Sequence, residues 1–209
     1  MQLKTDTAHI KTLKGIRVAD ARLTAYEGDK EIISLIGDVI FTDYGVSGDG
    51  VFRISAYIAD KLASGNIRLS IDFLPQISAQ EIQTAMEKKR EIFPETAQTE
   101  YLFGVVNNQL GRAIMRRADG DIGKAVSLVK GFTLSVVGSL GFDYAQVTKG
   151  GIPLSETDEN LQSRFCEGLY FAGEILDIDG ACGGYNLHWA YASARTVAKA
   201  IQAKCRGQV

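Results

Sequence analysis

The chain has 209 residues, with 25 acidic against 23 basic side chains and a formal net charge of −2. A chain of this length buries roughly 70% of its unfolded surface. With 45% hydrophobic and 23% charged residues, its composition is that of a globular protein and excludes a disordered one. The near-neutral balance lacks the basic footprint of a general nucleic-acid binder. No apolar run approaches the roughly 20 residues of a membrane span, and the N-terminus lacks a signal-peptide core, so neither nucleic acid nor membrane is an expected partner. The expected location is the cytoplasm.

The first half reads as strands. Ile16, Val18, Ala19 and Leu23 lie in a strand-like stretch that ends at the turn Tyr26-Glu27-Gly28-Asp29-Lys30. Glu31 to Ile36 and then Gly37 to Phe41 follow, giving a hairpin or a three-stranded run. A turn-rich stretch, Tyr44 to Gly50, enters a helix expected from about Val51 to Leu62. Ser64-Gly65-Asn66 stops that helix, and Ile67 to Phe73 resumes as a strand.

Helical signals then take over. Ser78-Ala79-Gln80-Glu81 is a capping-box pattern, with Ile82, Ala85, Met86 and Lys89 at helical spacing and Pro94 as the stop. Gln98 to Ala118 reads as helical, with Gly104 and Asn107-Asn108 able to split it in two. Asp121 is placed to cap a helix over Ile122 to Val129, with Gly131 behind it. The β-branched run Phe132 to Val137 is a strand, and Tyr144 to Thr148 is a second candidate.

The last segment concentrates the chemistry. Gly168 to Glu174 has the pattern of a short buried strand, and a loop with Asp177, Asp179 and Gly180 follows. Gly183-Gly184 then opens a long amphipathic helix with Leu187, Ala190, Ala194, Val197, Ala198 and Ile201 in one stripe. A glycine pair at a helix start leaves backbone N–H groups reachable at the positive end of the dipole, which favours an anion or an electron-rich ligand edge. Glu174, at the end of the strand, is placed to accept hydrogen bonds from ligand hydroxyls. The bland alternative is a well-packed helix start beside a glycine turn.

Other candidates each carry two readings. Cys166, Cys182 and Cys205 cannot all pair, no CxxC occurs, and His9 and His188 are the only histidines, so no metal site is expected. Cys182 is a buried filler or a redox thiol. His188 is a structural histidine or an acid–base group. Arg112, Arg116 and Arg117 form a solvated helix face or an anion-attracting cluster. Trp189 and Tyr191 read as packing residues rather than substrate stackers. Asp177 and Asp179 form turns or act as an acid–base pair.

The stretch from Gly168 to Ala190, GLYFAGEILDIDGACGGYNLHWA, closely resembles the C-terminal signature of BaiN-type (YhiN-type, aminoacetone-oxidase-like) bacterial flavoproteins. Val147 to Ile152, Phe41 to Gly48 and Phe142 to Gln146 resemble further landmarks of that family. The resemblance implies a mixed α+β fold. Residues 1–140 would be a β-rich inserted domain with a helical subdomain, and residues 141–209 a partial FAD-binding α/β segment ending in a long helix. It implies FAD as cofactor, with Gly173 and Glu174 near the ribityl and pyrophosphate. Gly183, Gly184, Tyr185 and Asn186 would lie at the pyrimidine end of the isoalloxazine, and Gly150-Gly151 would line its surroundings. Hydride would pass to or from the flavin N5, and a NAD(P)H donor is compatible with the resemblance.

The family's opening G-x-G-x-x-G unit is absent from this sequence. Gly45 to Gly50 has the wrong spacing and Gly138 to Gly141 has too few glycines. The chain thus reads as a truncated form or subunit that needs an N-terminal dinucleotide-binding unit, in cis or in trans, and binds FAD weakly or not at all by itself. The alternative is a non-catalytic binding or docking module.

Overall fold

The computed structural model describes residues 1–145, 147–181 and 183–207, which fall into two units, 1–144 and 145–209. The first unit is organised by a hairpin of β2 (Arg17–Glu27) and β3 (Lys30–Phe41), joined by Gly28 and Asp29. Gly28 takes a φ of +59° at this two-residue turn, which an L side chain rarely adopts. Around the hairpin lie β1 (Leu3–Thr5), β4 (Gly45–Ser47), β5 (Ile67–Asp72) and β6 (Phe132–Ser139). Every pairing is antiparallel, and the order β1-β4-β3-β2-β5-β6 closes into a barrel.

The alternation of apolar and polar residues expected of β5 and β6 appears as alternating burial, with Ile67, Leu69, Ile71, Phe132, Leu134 and Val136 turned inward. Phe41, Phe73 and Phe132 meet within the core, with ring centroids 5.5–6.3 Å apart in tilted and edge-on arrangements.

Gly37 does not break the strand. β3 runs unbroken for 12 residues because β2 pairs with it from Ile40 to Lys30. The glycine instead admits α1 (Asp49–Ile58): a Cβ at Gly37 would stand 2.6 Å from the Cα of Gly50. α1 gives way after Ile58 to a 3₁₀ turn over Ala59–Ser64 rather than continuing as α-helix to Leu62. Asp38 fixes an irregularity between Val18 and Ala21 in β2 by accepting from Arg17 Nε at 2.9 Å and from the Asp20 N–H at 3.3 Å. The Arg17 guanidinium holds the Asp38 carboxyl below the usual carboxylate range.

Between β5 and β6 the chain forms three helices: α2 (Ala79–Ile92), α3 (Asn108–Arg117) and α4 (Ile122–Lys130). The Ser78/Glu81 capping box is complete, and α2 ends where Phe93, restricted by Pro94, leaves helical geometry. Asn107 caps α3, and only this second half of the 98–118 stretch is α-helical; a 3₁₀ turn, Gln98–Glu100, stands in the first half. Asp121 Oδ1 accepts from Lys124 N at 2.7 Å to start α4.

The first unit ends in a 3₁₀ turn, Phe142–Tyr144. The second unit departs further from expectation: neither 144–148 nor 168–174 is a strand among the described residues. The latter stretch makes one antiparallel bridge, Gln162↔Tyr170, and turns at Gly173–Ile175. Nor is it buried: Leu169 is exposed. An apolar segment forms a buried strand only where neighbours supply both a continued ladder and cover. Residues 161–163 give 168–174 two ladder bonds, Ser163 N–H to Leu169 O and Phe171 N–H to Leu161 O, and the segment stays uncovered. α5 (Tyr185–Arg206) closes the chain as anticipated, yet Ser193 is the buried residue among its described positions, and Leu187 is 80% exposed.

Two outcomes follow for the first unit. Lys130 Nζ donates to Leu74 O and Ile77 O, both at 2.8 Å, and pairs with Asp72 at 2.7 Å, tying the end of α4 to the loop after β5. Replacing it, Lys130→Met, is expected to cost about 2 kcal/mol in chemical denaturation, since two carbonyls and a carboxylate lose a charged donor. In the capping box, bonds from Ser78 hold the Glu81 carboxyl below its ordinary range. Because its folded value is depressed, the contribution is complete above the ordinary glutamate range and lost as pH falls through the lowered value. Side-chain carboxyl NMR of Glu81 beside α2 amide exchange tests the loss.

Candidate functional site

Residues 145–209 carry the candidate site, and hydrogen bonds rather than apolar burial hold them in shape. Leu161 and Leu176 are the buried apolar side chains among the described residues here. The Gly150-Gly151 segment is laced to the segment after Gly173. Thr148 N–H donates to Glu174 Oε1 at 2.8 Å and Gly150 N–H to Asp177 Oδ1 at 3.1 Å. Ile152 N–H donates to Ile175 O, and Asp177 N–H donates back to Ile152 O, each at 2.9 Å, forming the parallel bridge Ile152↔Leu176. Gly151 sits at φ +140°, and a Cβ there would stand 2.4 Å from Ile175 O. Of the two aspartates weighed as an acid–base pair, Asp177 therefore serves as a backbone latch.

α5 bonds to the two glycines that bracket the next loop. Gly173 N–H donates to Ser193 Oγ at 2.9 Å, and Trp189 Nε1–H donates to Gly173 O at 3.2 Å. Gly180 N–H donates to Asn186 Oδ1 at 2.8 Å, and Asn186 Nδ2 donates to Gly180 O at 3.1 Å. Gly183 and Gly184 differ from these. Their φ values are +115° and +98°, and nothing lies within 4 Å of where a Cβ would be. Gly184 is the N-cap residue of α5 and offers no side-chain cap, while the Tyr185 side chain is exposed.

The eight glycine, glutamate, tyrosine and asparagine positions expected at the site thus divide. Gly183, Gly184 and Tyr185 form an open helix start with a positive dipole end. Gly150 is open as well, with nothing within 4 Å of a Cβ. Glu174 keeps an exposed carboxylate with one oxygen on Thr148. Gly151, Gly173 and Asn186 are engaged within the unit.

The remaining candidates disperse. Cys182 and Gln146 lie outside the described residues, while Cys166 and Cys205 are exposed thiols. His188 is exposed in a shallow groove with Tyr191, Arg195 and Lys199, and Tyr191 packs no core. Arg112 stacks over Phe103 at 4.7 Å and pairs with Glu100 at 2.9 Å, and Arg117 stacks over Phe132 at 4.8 Å. Two of the three arginines are therefore spent on internal contacts. Among the described residues no three His, Cys, Asp or Glu side chains group to hold a metal ion, and no helix is long and apolar enough to cross a membrane. Sequence reasoning missed the hydrogen-bonding roles of Trp189 and Ser193. The signal was their spacing of three and seven from Asn186, which places all three on one helix face.

The Gly151 contact is directly testable. Gly151→Ala should cost about 1–3 kcal/mol of local stability through backbone strain and overpacking. The amides of Ile152 and Asp177 should then exchange at least fivefold faster, while barrel amides keep their protection.

Comparison with known proteins places this geometry. The chain is 31% identical over 214 residues to a 3-dehydro-bile acid delta(4,6)-reductase of Clostridium scindens, covering 96% of this chain and 52% of that protein. It is 27% identical over 169 residues to the ribosomal RNA dihydrouridine synthase of Escherichia coli, covering 75% of this chain and 40% of that one. The corresponding synthase of Haemophilus influenzae is 28% identical over 182 residues, with 80% and 43% covered. The chain therefore spans about half, or less, of the length of the curated relatives it matches. The family model for the HI0933-like protein barrel and H2TH domain matches residues 1–147, the closed barrel with α1 to α4. That for the HI0933-like protein Rossmann domain matches residues 120–200, beginning within the first unit at the turn before α4 and running into α5. On these matches, and on the barrel that carries the first of them, the chain belongs to the HI0933-like protein family.

Proposed function

We propose that this chain is part of a FAD-dependent oxidoreductase, with residues 1–140 as an inserted, substrate-side domain and residues 141–209 closing the FAD domain. The observation that carries the reading is the start of α5. Gly183 and Gly184 leave the first-turn backbone uncapped by a side chain and open to a ligand edge. A bound flavin supplies two-electron transfer that no side chain here provides. Backbone N–H groups at Gly183, Gly184 and Tyr185 would hold its pyrimidine edge, where the helix dipole favours the negative charge of the reduced ring. Gly150 and Gly151 would border the ring, Gly173 and Glu174 would lie toward the ribityl and pyrophosphate, and Asn186 would lie beside the helix start.

The partner in this reading is a dinucleotide-binding unit carrying the G-x-G-x-x-G turn, in cis or in trans, and NAD(P)H is a compatible electron donor. A cytoplasmic location and a small-molecule substrate complete it. The near-neutral charge and the internal engagement of Lys89, Arg112, Arg117 and Lys130 favour a small molecule over a nucleic acid. The competing reading is a docking module without cofactor.

Visible absorbance before and after FAD addition and desalting separates the two. The chain alone should be nearly colourless. Co-expressed with the N-terminal unit of one of its relatives, it should retain flavin near one per chain and bleach with NAD(P)H. A colourless complex overturns the enzyme reading, and reduction of ribosomal RNA by a coloured one overturns the small-molecule assignment.

A further inference from the structure

Asn186, Trp189 and Ser193 stand at spacings of three and four on α5, so their side chains project from one face. Together they take up both backbone groups of two glycines seven residues apart. Gly173 gives its N–H to Ser193 Oγ and receives Trp189 Nε1–H on its carbonyl, and Gly180 exchanges two bonds with the Asn186 amide. The Ser193 hydroxyl, buried at 1% exposure, donates to Trp189 O at 2.6 Å, which leaves its oxygen as the acceptor for Gly173 N–H. Gly173 lies at φ +77°, and a Cβ on Gly180 would stand 3.0 Å from Asn186 Oδ1, so both loop ends fit this face as glycine.

We infer that this face of α5 is a template that sets the shape of the 173–180 loop before any ligand arrives. Asn186, Trp189 and Ser193 are accordingly positioning residues: they act on the flavin site, as proposed above, through Gly173 and Gly180. The carboxamide of Asn186 and the peptide groups of Gly173 are committed to the loop, and ligand contact falls to the open backbone of Gly183 to Tyr185. A loop held in advance avoids the ordering cost that binding would otherwise carry.

The inference rests on the flavin reading only for its second arm. The first arm is amide exchange by NMR on the full chain without cofactor. Gly173 and Gly180 should be protected at least tenfold relative to unstructured peptide. Ser193→Ala should strip protection from Gly173 and leave Gly180 unchanged, and Asn186→Ala should do the reverse. Asn186→Asp, which keeps the acceptor for Gly180 N–H, should restore part of that protection. Unprotected glycines in the unmodified chain, or loss at both sites from either variant, overturn the template. In the second arm, FAD titration of the completed protein, Trp189→Phe and Asn186→Ala should each weaken binding about tenfold with barrel melting unchanged. Protection lost with FAD affinity intact overturns the positioning role. Absence of FAD binding by the unmodified completed protein instead overturns the flavin reading and leaves the exchange result standing.

Discussion

The barrel has no open edge because a three-residue strand, Leu3–Thr5, pairs on both sides. It meets β4 through Leu3↔Val46 and Lys4↔Gly45, and β6 through Leu3↔Ser139 to Thr5↔Val136. The pairs with β6 join residues more than 130 positions apart in the chain. They decide whether Val46 and Val136 face a closed core or an exposed edge open to other chains. Asp6, just beyond the strand, extends the join by exchanging bonds with the backbone of Ser135. The phenylalanine cluster, the docking of α1 at Gly37 and the helical layer between β5 and β6 all presuppose this closure.

The two units solve the problem of buried backbone differently. Residues 1–144 do so by regular pairing and a large apolar core, supplemented by cations on carbonyls. Lys130 holds Leu74 and Ile77, and Lys89 holds Glu100 and Phe103. Residues 145–209 have almost no apolar core and depend on side chains to satisfy loop peptides: Glu174 and Asp177 on one side, Asn186, Trp189 and Ser193 on the other. The apolar stripe of α5 is left largely exposed. The family's Rossmann model matches this region.

The proposed reading gives this segment a cofactor recognised by backbone. Glycines at helix starts and loop ends let peptide groups approach a planar ring, and a hydrogen-bonded frame keeps them aimed with little apolar burial. The barrel contributes no comparable opening: its interior is filled by Phe41, Phe73, Phe132 and the aliphatic residues around them. Chemistry is accordingly proposed for the second unit, and substrate selection for surfaces of the first.

What the sequence determined by itself was local. The Gly28 turn, the Ser78/Glu81 box, the Asp121 cap, the stop before Pro94 and the start of α5 at Gly184 all follow from the conformations and short-range bonds of a few adjacent residues. The glycine-rich final segment also carried the resemblance on which the proposed ligand site rests. Tertiary structure decided the rest, because the deciding partners are far away in sequence. β3 passes through Gly37 since β2 pairs along it and α1 needs the space. The apolar run 168–174 is not a strand since its pairing with 161–163 ends after a single bridge. Gly173 and Asn186 point inward since Ser193 and Gly180 meet them across a loop. Apolar pattern alone records what a segment prefers; whether a ladder, a helix face or a ligand satisfies its peptide groups depends on what the fold brings alongside.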